Sequence, residues 1–152
     1  MIFLLLLLLV FLGLFVGLVV GLMAEEELKP GMPYFEWMRR ILLLIIIITF
    51  FAKNASVLFI LMISLIIILF SFSKEREALY YSALCIILYL SWRYNGFAII
   101  APLVFLYGFP SGTIYLYQHS KEKKQKIVLG LFLKHLAFIL IGLLFFLSGL
   151  VL

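Results

Sequence analysis

Long runs without a polar residue alternate along this chain with short charged stretches. Six such runs stand out, at residues 1–23, 34–52, 57–72, 78–92, 97–117 and 132–152. A helix of about 20 apolar residues crosses the roughly 30 Å hydrocarbon layer of a bilayer. Strands that cross lipid must close into a barrel and alternate apolar and polar positions. The run Ile41-Leu42-Leu43-Leu44-Ile45-Ile46-Ile47-Ile48 shows no alternation. The pattern therefore predicts an all-α fold, a polytopic membrane helix bundle of six transmembrane helices forming one membrane domain over residues 1–152.

Two of the runs are ambiguous at their polar edges. The second has an apolar core of only residues 41–52, and reaches spanning length if its helix begins near Pro33. Proline suits a first helical turn, whose N–H groups have no partner in the helix. Glu36, Arg39 and Arg40 are then expected at the interface, reaching toward headgroups. The sixth run carries Lys134 and His135. If its span begins at Ile127, Lys134 lies about 12 Å deep by helical rise. If a basic helix continues through His135, the span is residues 136–152, and both side chains are interfacial. The first run lacks a basic leader and an A-x-A site, so it reads as a retained helix rather than a signal peptide.

Composition sharpens this reading. Hydrophobic residues make up 67% and charged residues 12%, with mean hydropathy +1.30. A soluble domain carries about 25% charged residues, so lipid is the expected solvent. Disordered, collagen-like and disulfide-scaffold classes are excluded. The lone Cys85 sits in an apolar run and reads as a buried thiol. Charge then sets the orientation. Lys29, Arg39, Arg40, Lys74, Arg76, Lys121, Lys123, Lys124 and Lys126 fall in the first, third and fifth loops, against Lys53 and Arg93 in the others. Basic loops stay on the cytoplasmic side. Both termini are therefore expected outside, and the protein is expected in the plasma membrane as a multi-pass chain. The net charge of +5 lies beside apolar spans, so the expected counter-charge is anionic lipid headgroups, not nucleic acid.

Gly13, Gly17 and Gly21 are spaced by four within the first run. Small residues at that spacing share one helix face and let two backbones approach closely. The stripe is a candidate helix contact, either within the chain or as a homo- or hetero-oligomer contact through the first helix. The fifth run holds Pro102, Gly108, Pro110 and Gly112. Two readings follow: a helix broken near mid-span that aims a half-helix N-terminus at a ligand, or a kink whose freed carbonyls are taken by Ser111 and Thr113. In the fourth run Tyr81, Cys85, Tyr89 and Trp92 share a face. With Tyr107 and Tyr115 they are candidates to line an aromatic cleft, although an interfacial aromatic belt accounts for Tyr80, Tyr81 and Trp92. The candidate ligand-binding set is Tyr89, Tyr107, Ser111, Thr113, Lys134 and His135.

No catalytic residue, metal site or cofactor is nominated. All seven acids are Glu, at positions 25, 26, 27, 36, 75, 77 and 122, assigned to cytoplasmic loops or helix ends. They read as solvated caps; a metal-assisted enzyme on lipid headgroups would require Glu25, Glu26, Glu27 and Glu36 to converge. Gly108-Phe109-Pro110-Ser111-Gly112, with His135 later and Glu36-Trp37-x-Arg39 earlier, looks like the serine, histidine and first-loop motifs of rhomboid proteases. The chain departs from that family at Phe109, where its G-x-S-G motif has Gly. It also has no helix between the serine and histidine helices, and its Trp/Arg loop falls on the opposite side. The leading expectation is a non-enzymatic packing or accessory subunit of a larger membrane assembly. A small carrier or lipid-binding protein with its site at the fifth run is the alternative.

Overall fold

The computed structural model describes residues 2–54, 77–93 and 96–151. They form five α-helices: α1 (Ile2–Met23), α2 (Leu28–Asn54), α3 (Glu77–Arg93), α4 (Phe97–Gln118) and α5 (Lys124–Val151), with a 3₁₀ turn at Glu25–Glu27. No strand occurs among the described residues. The helix expected at residues 57–72 lies outside them. Three segments are long and apolar enough to cross a membrane: α1, α4 and Lys124–Ser148 of α5. The described helices thus support three crossings rather than the six expected. α2 has the length, at 27 residues, but Glu36, Arg39, Arg40 and Lys53 interrupt it. α3 is described over 17 residues.

One boundary differs from the sequence expectation, and two points left open by the sequence are decided. α2 begins at Leu28, not near Pro33. Pro30 occupies its first turn, where a missing N–H costs nothing. The glutamates just before it sit where a helix dipole favours negative charge. Arg39 is consequently 11 residues inside the helix rather than near its start. α5 begins at Lys124, so the basic segment and the apolar segment are one continuous helix, as one of the two readings of the sixth run has it. α4 is also continuous. Pro102 and Pro110 lie inside it, and the run Gly108–Gly112 keeps helical geometry. Of the two readings of this run, the helix broken at mid-span is therefore not the one observed, and the backbone of α1 lies close against Gly108 and Gly112.

Facing α1 at close range is α4. Gly13 abuts Phe105, Gly17 abuts Phe109, and Gly21 lies against Leu116 and Thr113, so the two helices run in parallel. A β-carbon added to Gly17 would sit 2.7 Å from the Phe109 carbonyl carbon, and one on Gly108 would sit 2.8 Å from the Gly13 carbonyl carbon. Gly112 meets the backbone of Leu14 and Leu18. The glycines of α4 are therefore the counterpart of the stripe on α1, with small residues on both sides of one seam. Phe3, Leu7, Val10, Leu14 and Leu18 of α1 complete the buried face.

The remaining helices follow this pair. α5 runs antiparallel to α1, with Phe3 stacked on Phe146 at 6.4 Å and Phe11 on Phe138 at 6.1 Å. α3 runs beside α5 in the same direction, through Tyr81 on Phe138 (4.9 Å) and Tyr89 on Phe145 (4.8 Å). α2 runs antiparallel to α4: Leu28 and Leu116 border one cavity, and Leu43 and Tyr107 another. The bundle thus has a charged end, where α1 and α4 finish and α2 and α5 begin, and an aromatic end.

Candidate functional site

Polar side chains gather at three levels. At the middle of the bundle, Tyr81 of α3, Tyr107 of α4 and His135 of α5 converge. The Tyr81 ring lies 5.2 Å from the His135 ring and 5.9 Å from that of Tyr107. All three are buried, at 1%, 2% and 3% exposure for Tyr81, His135 and Tyr107. His135 Nδ1 lies 3.0 Å from the Leu131 carbonyl. The Tyr81 hydroxyl meets no hydrogen-bond partner among the described residues and packs over Gly108. This corrects the belt reading of Tyr81, whose ring lies buried beside Gly108 and Tyr107 at the middle of α4. Arg39 is half-buried at the same level, bordering with Arg40, Leu43, Tyr80 and Tyr107 a cavity of about 20 Å³. That is room for about one water, too little for an organic ligand.

One turn nearer the charged end, two hydroxyls of α4 bond backbone carbonyls. Ser111 donates to the Tyr107 carbonyl at 3.0 Å. Thr113 donates to the Gly17 carbonyl of α1 at 2.9 Å, with the Phe109 carbonyl at 3.1 Å. Neither hydroxyl takes the Leu106 carbonyl that Pro110 deprives of its usual N–H, which is where the kink reading placed them. The hydrogen bond of Ser111 is directed to the backbone and not to His135, so no serine–histidine pair forms.

The sequence-nominated ligand residues are thereby divided. Tyr107 and His135 meet in the middle. Thr113 belongs to the α1–α4 seam, and Ser111 bonds back to the Tyr107 carbonyl of its own helix. Tyr89 is at the aromatic end, stacked on Phe145 and edge-on to Phe3 at 5.8 Å. Lys134 reaches along α5 to place Nζ 5.1 Å over the Tyr115 ring. The shared face of Tyr81, Cys85 and Tyr89 is filled by α5, where Cys85 Sγ packs near Gly142, so it forms no open cleft. Among the described residues no three His, Cys or Glu side chains are grouped to hold a metal.

The charged end carries the larger concavities. A cleft of about 320 Å³ lies between the 3₁₀ turn, the start of α2 and the α4–α5 connection. Leu22, Leu28, Leu116 and Ile127 give it apolar walls; Glu25, Lys29, Tyr117, Ser120, Glu122 and Lys124 give it a polar rim. Lys124 Nζ pairs with Glu25 at 3.4 Å, both well exposed. Among the described residues Lys29 and Glu122 have no ion-pair partner. Lys124 also borders a groove of about 630 Å³ between α1 and α5, lined by Phe15, Gln125, Val128, Leu129 and Phe132. Sequence reasoning treated these charges as caps. The available signal was the proximity of Glu25–Lys29 and Ser120–Lys124 to consecutive helix ends, which only the antiparallel packing of α1 and α5 brings together.

Comparison of the chain with known protein families, with curated proteins and with solved structures returned no match.

Proposed function

We propose that this chain is a non-enzymatic integral membrane protein, a packing or accessory subunit of a larger membrane assembly. The observation that carries the reading is the Thr113–Gly17 contact and the glycine seam around it. The Thr113 hydroxyl, a candidate for a ligand site, ties two helices together instead, and that of Ser111 bonds the backbone of its own helix. The continuity of α4 counts against a carrier that works through a broken helix. The dispersed glutamates give no support to a metal-dependent headgroup enzyme.

In this reading the chain crosses the plasma membrane six times, with its charged end cytoplasmic and both termini outside. The Glu25–Lys124 pair supports placing the first and fifth loops on one side. α2 and α3 run in the same direction, which supports a further crossing between them. Anionic headgroups face Lys121, Lys123 and Lys126, all exposed. Because α4 covers the glycine face of α1, a partner helix meets the opposite face. There Leu5, Leu9, Leu12, Val16 and Val19 are exposed, at alternating spacings of four and three, the spacing of a helix-packing seam.

Crosslinking in native membranes, followed by sizing in mild detergent, tests the assembly. A second membrane chain or a second copy should co-migrate, and Leu9→Ala with Val16→Ala should weaken that association. A monomer throughout would overturn the reading. Orientation is tested separately with Ser120→Cys in a Cys85→Ala background. An impermeant maleimide should label it only in opened cells.

A further inference from the structure

We propose that the cleft at the charged end holds the headgroup of a zwitterionic phospholipid bearing a primary amine, phosphatidylethanolamine, with an acyl chain in the adjoining α1–α5 groove. The proposal rests on the reading of the chain as a membrane bundle, but not on its role as a subunit.

Three observations carry it. First, the cleft, at about 320 Å³, lies within the range of about 300–1,000 Å³ usual for small-molecule sites. Secondly, its rim is balanced: Glu25 and Glu122 face Lys29 and Lys124. A balanced rim does not select an anionic headgroup, which sets this cleft apart from the surrounding lysines. A phosphate accepts from the lysine ammonium groups and the Ser120 hydroxyl, and a primary ammonium donates to the carboxylates. A quaternary ammonium has no N–H to donate, which separates ethanolamine from choline headgroups. Thirdly, Lys124 borders both the cleft and the apolar groove. Val128 and Phe132 follow it by one and two helical turns, so the groove descends about 12 Å along α5 from the charged rim. Polar rim above and apolar groove below match a molecule with a charged head and a hydrocarbon tail. A soluble headgroup would leave the groove without a purpose.

The test uses the full chain, delipidated in mild detergent and offered phosphatidylethanolamine, phosphatidylcholine or phosphatidylglycerol, with retained lipid read by native mass spectrometry. Phosphatidylethanolamine should be retained about threefold over each of the others, the ratio expected of exposed charge pairs worth under about 1 kcal/mol. Glu25→Lys with Glu122→Lys should turn the preference toward phosphatidylglycerol. Val128→Trp, which fills the groove, should lower retention of all three. Thermal unfolding of each variant confirms that it is folded. Equal retention of the three lipids, or a selectivity unmoved by the double charge reversal, overturns the proposal. Full competition by acyl-free glycerophosphoethanolamine also overturns it, because the groove would then play no part. A chain that proves monomeric leaves these readouts intact, so failure of the subunit role is distinguishable from failure of the lipid site.

Discussion

At one end of the bundle Phe3 touches Tyr89, Trp92 and Phe146, and Trp92 touches Phe97. Four helices are tied there by rings. At the other end Glu25 and Lys124 meet in solvent, and a cleft and a groove open between helices. The difference follows from what each contact competes with. In lipid, apolar area alone does not hold helices together, since acyl chains solvate leucine as well as leucine does. Shape-specific ring contacts and close backbone seams still do. At the wet end, exposed ion pairs gain little because water and salt screen them. One end is therefore tied by shape-specific contacts, and the other is held by weaker ones.

The largest effect should come where the shape-specific contacts extend toward the open end. Gly17→Ile places a branched side chain against the Phe109 backbone and should cost at least about 3 kcal/mol. Thermal unfolding in detergent should fall steeply or the protein should not accumulate. A tolerated Ile would show that the seam is not one of the shape-specific contacts. Phe3→Ala at the aromatic end should cost about 3 kcal/mol, read in the same assay. Thr113→Val removes the hydroxyl bonded to Gly17 while keeping shape, and should cost about 0.6–1 kcal/mol, as interhelical hydrogen bonds in membranes do. At the open end Lys124→Ala should change stability by under about 1 kcal/mol. A drop there as large as that of Phe3→Ala would erase the contrast between the ends.

The helical character of the chain is legible from its runs of Leu and Ile, because nothing in them alternates. Where the helices stop is less legible. Pro33 looked like a helix start, yet Pro30, tucked into the first turn, let α2 begin at Leu28. That shift moved Arg39 from the interface to the level of Tyr107. The sequence reads the glycines of α1 as a contact face, and Gly108 and Gly112 of α4, spaced by the same four residues, as part of a break or a kink. Periodicity cannot choose between the two, because a glycine weakens its own helix and admits a neighbour by the same missing side chain. Only the partner decides. The candidate set Tyr89, Tyr107, Ser111, Thr113, Lys134 and His135 was chosen for polarity in apolar runs. Burial separates its members, since polarity along a sequence carries no information about which helix faces which.

The hydroxyl of Thr113 reaches a carbonyl 96 residues earlier in the chain. During synthesis at about 5–20 residues per second, α1 is made roughly 5–20 s before α4 can meet it. For that interval its glycine face lies bare in the membrane, the very surface that a passing helix with small residues would fit. The order of the chain thus sets a delay between the making of α1 and the closing of its glycine seam.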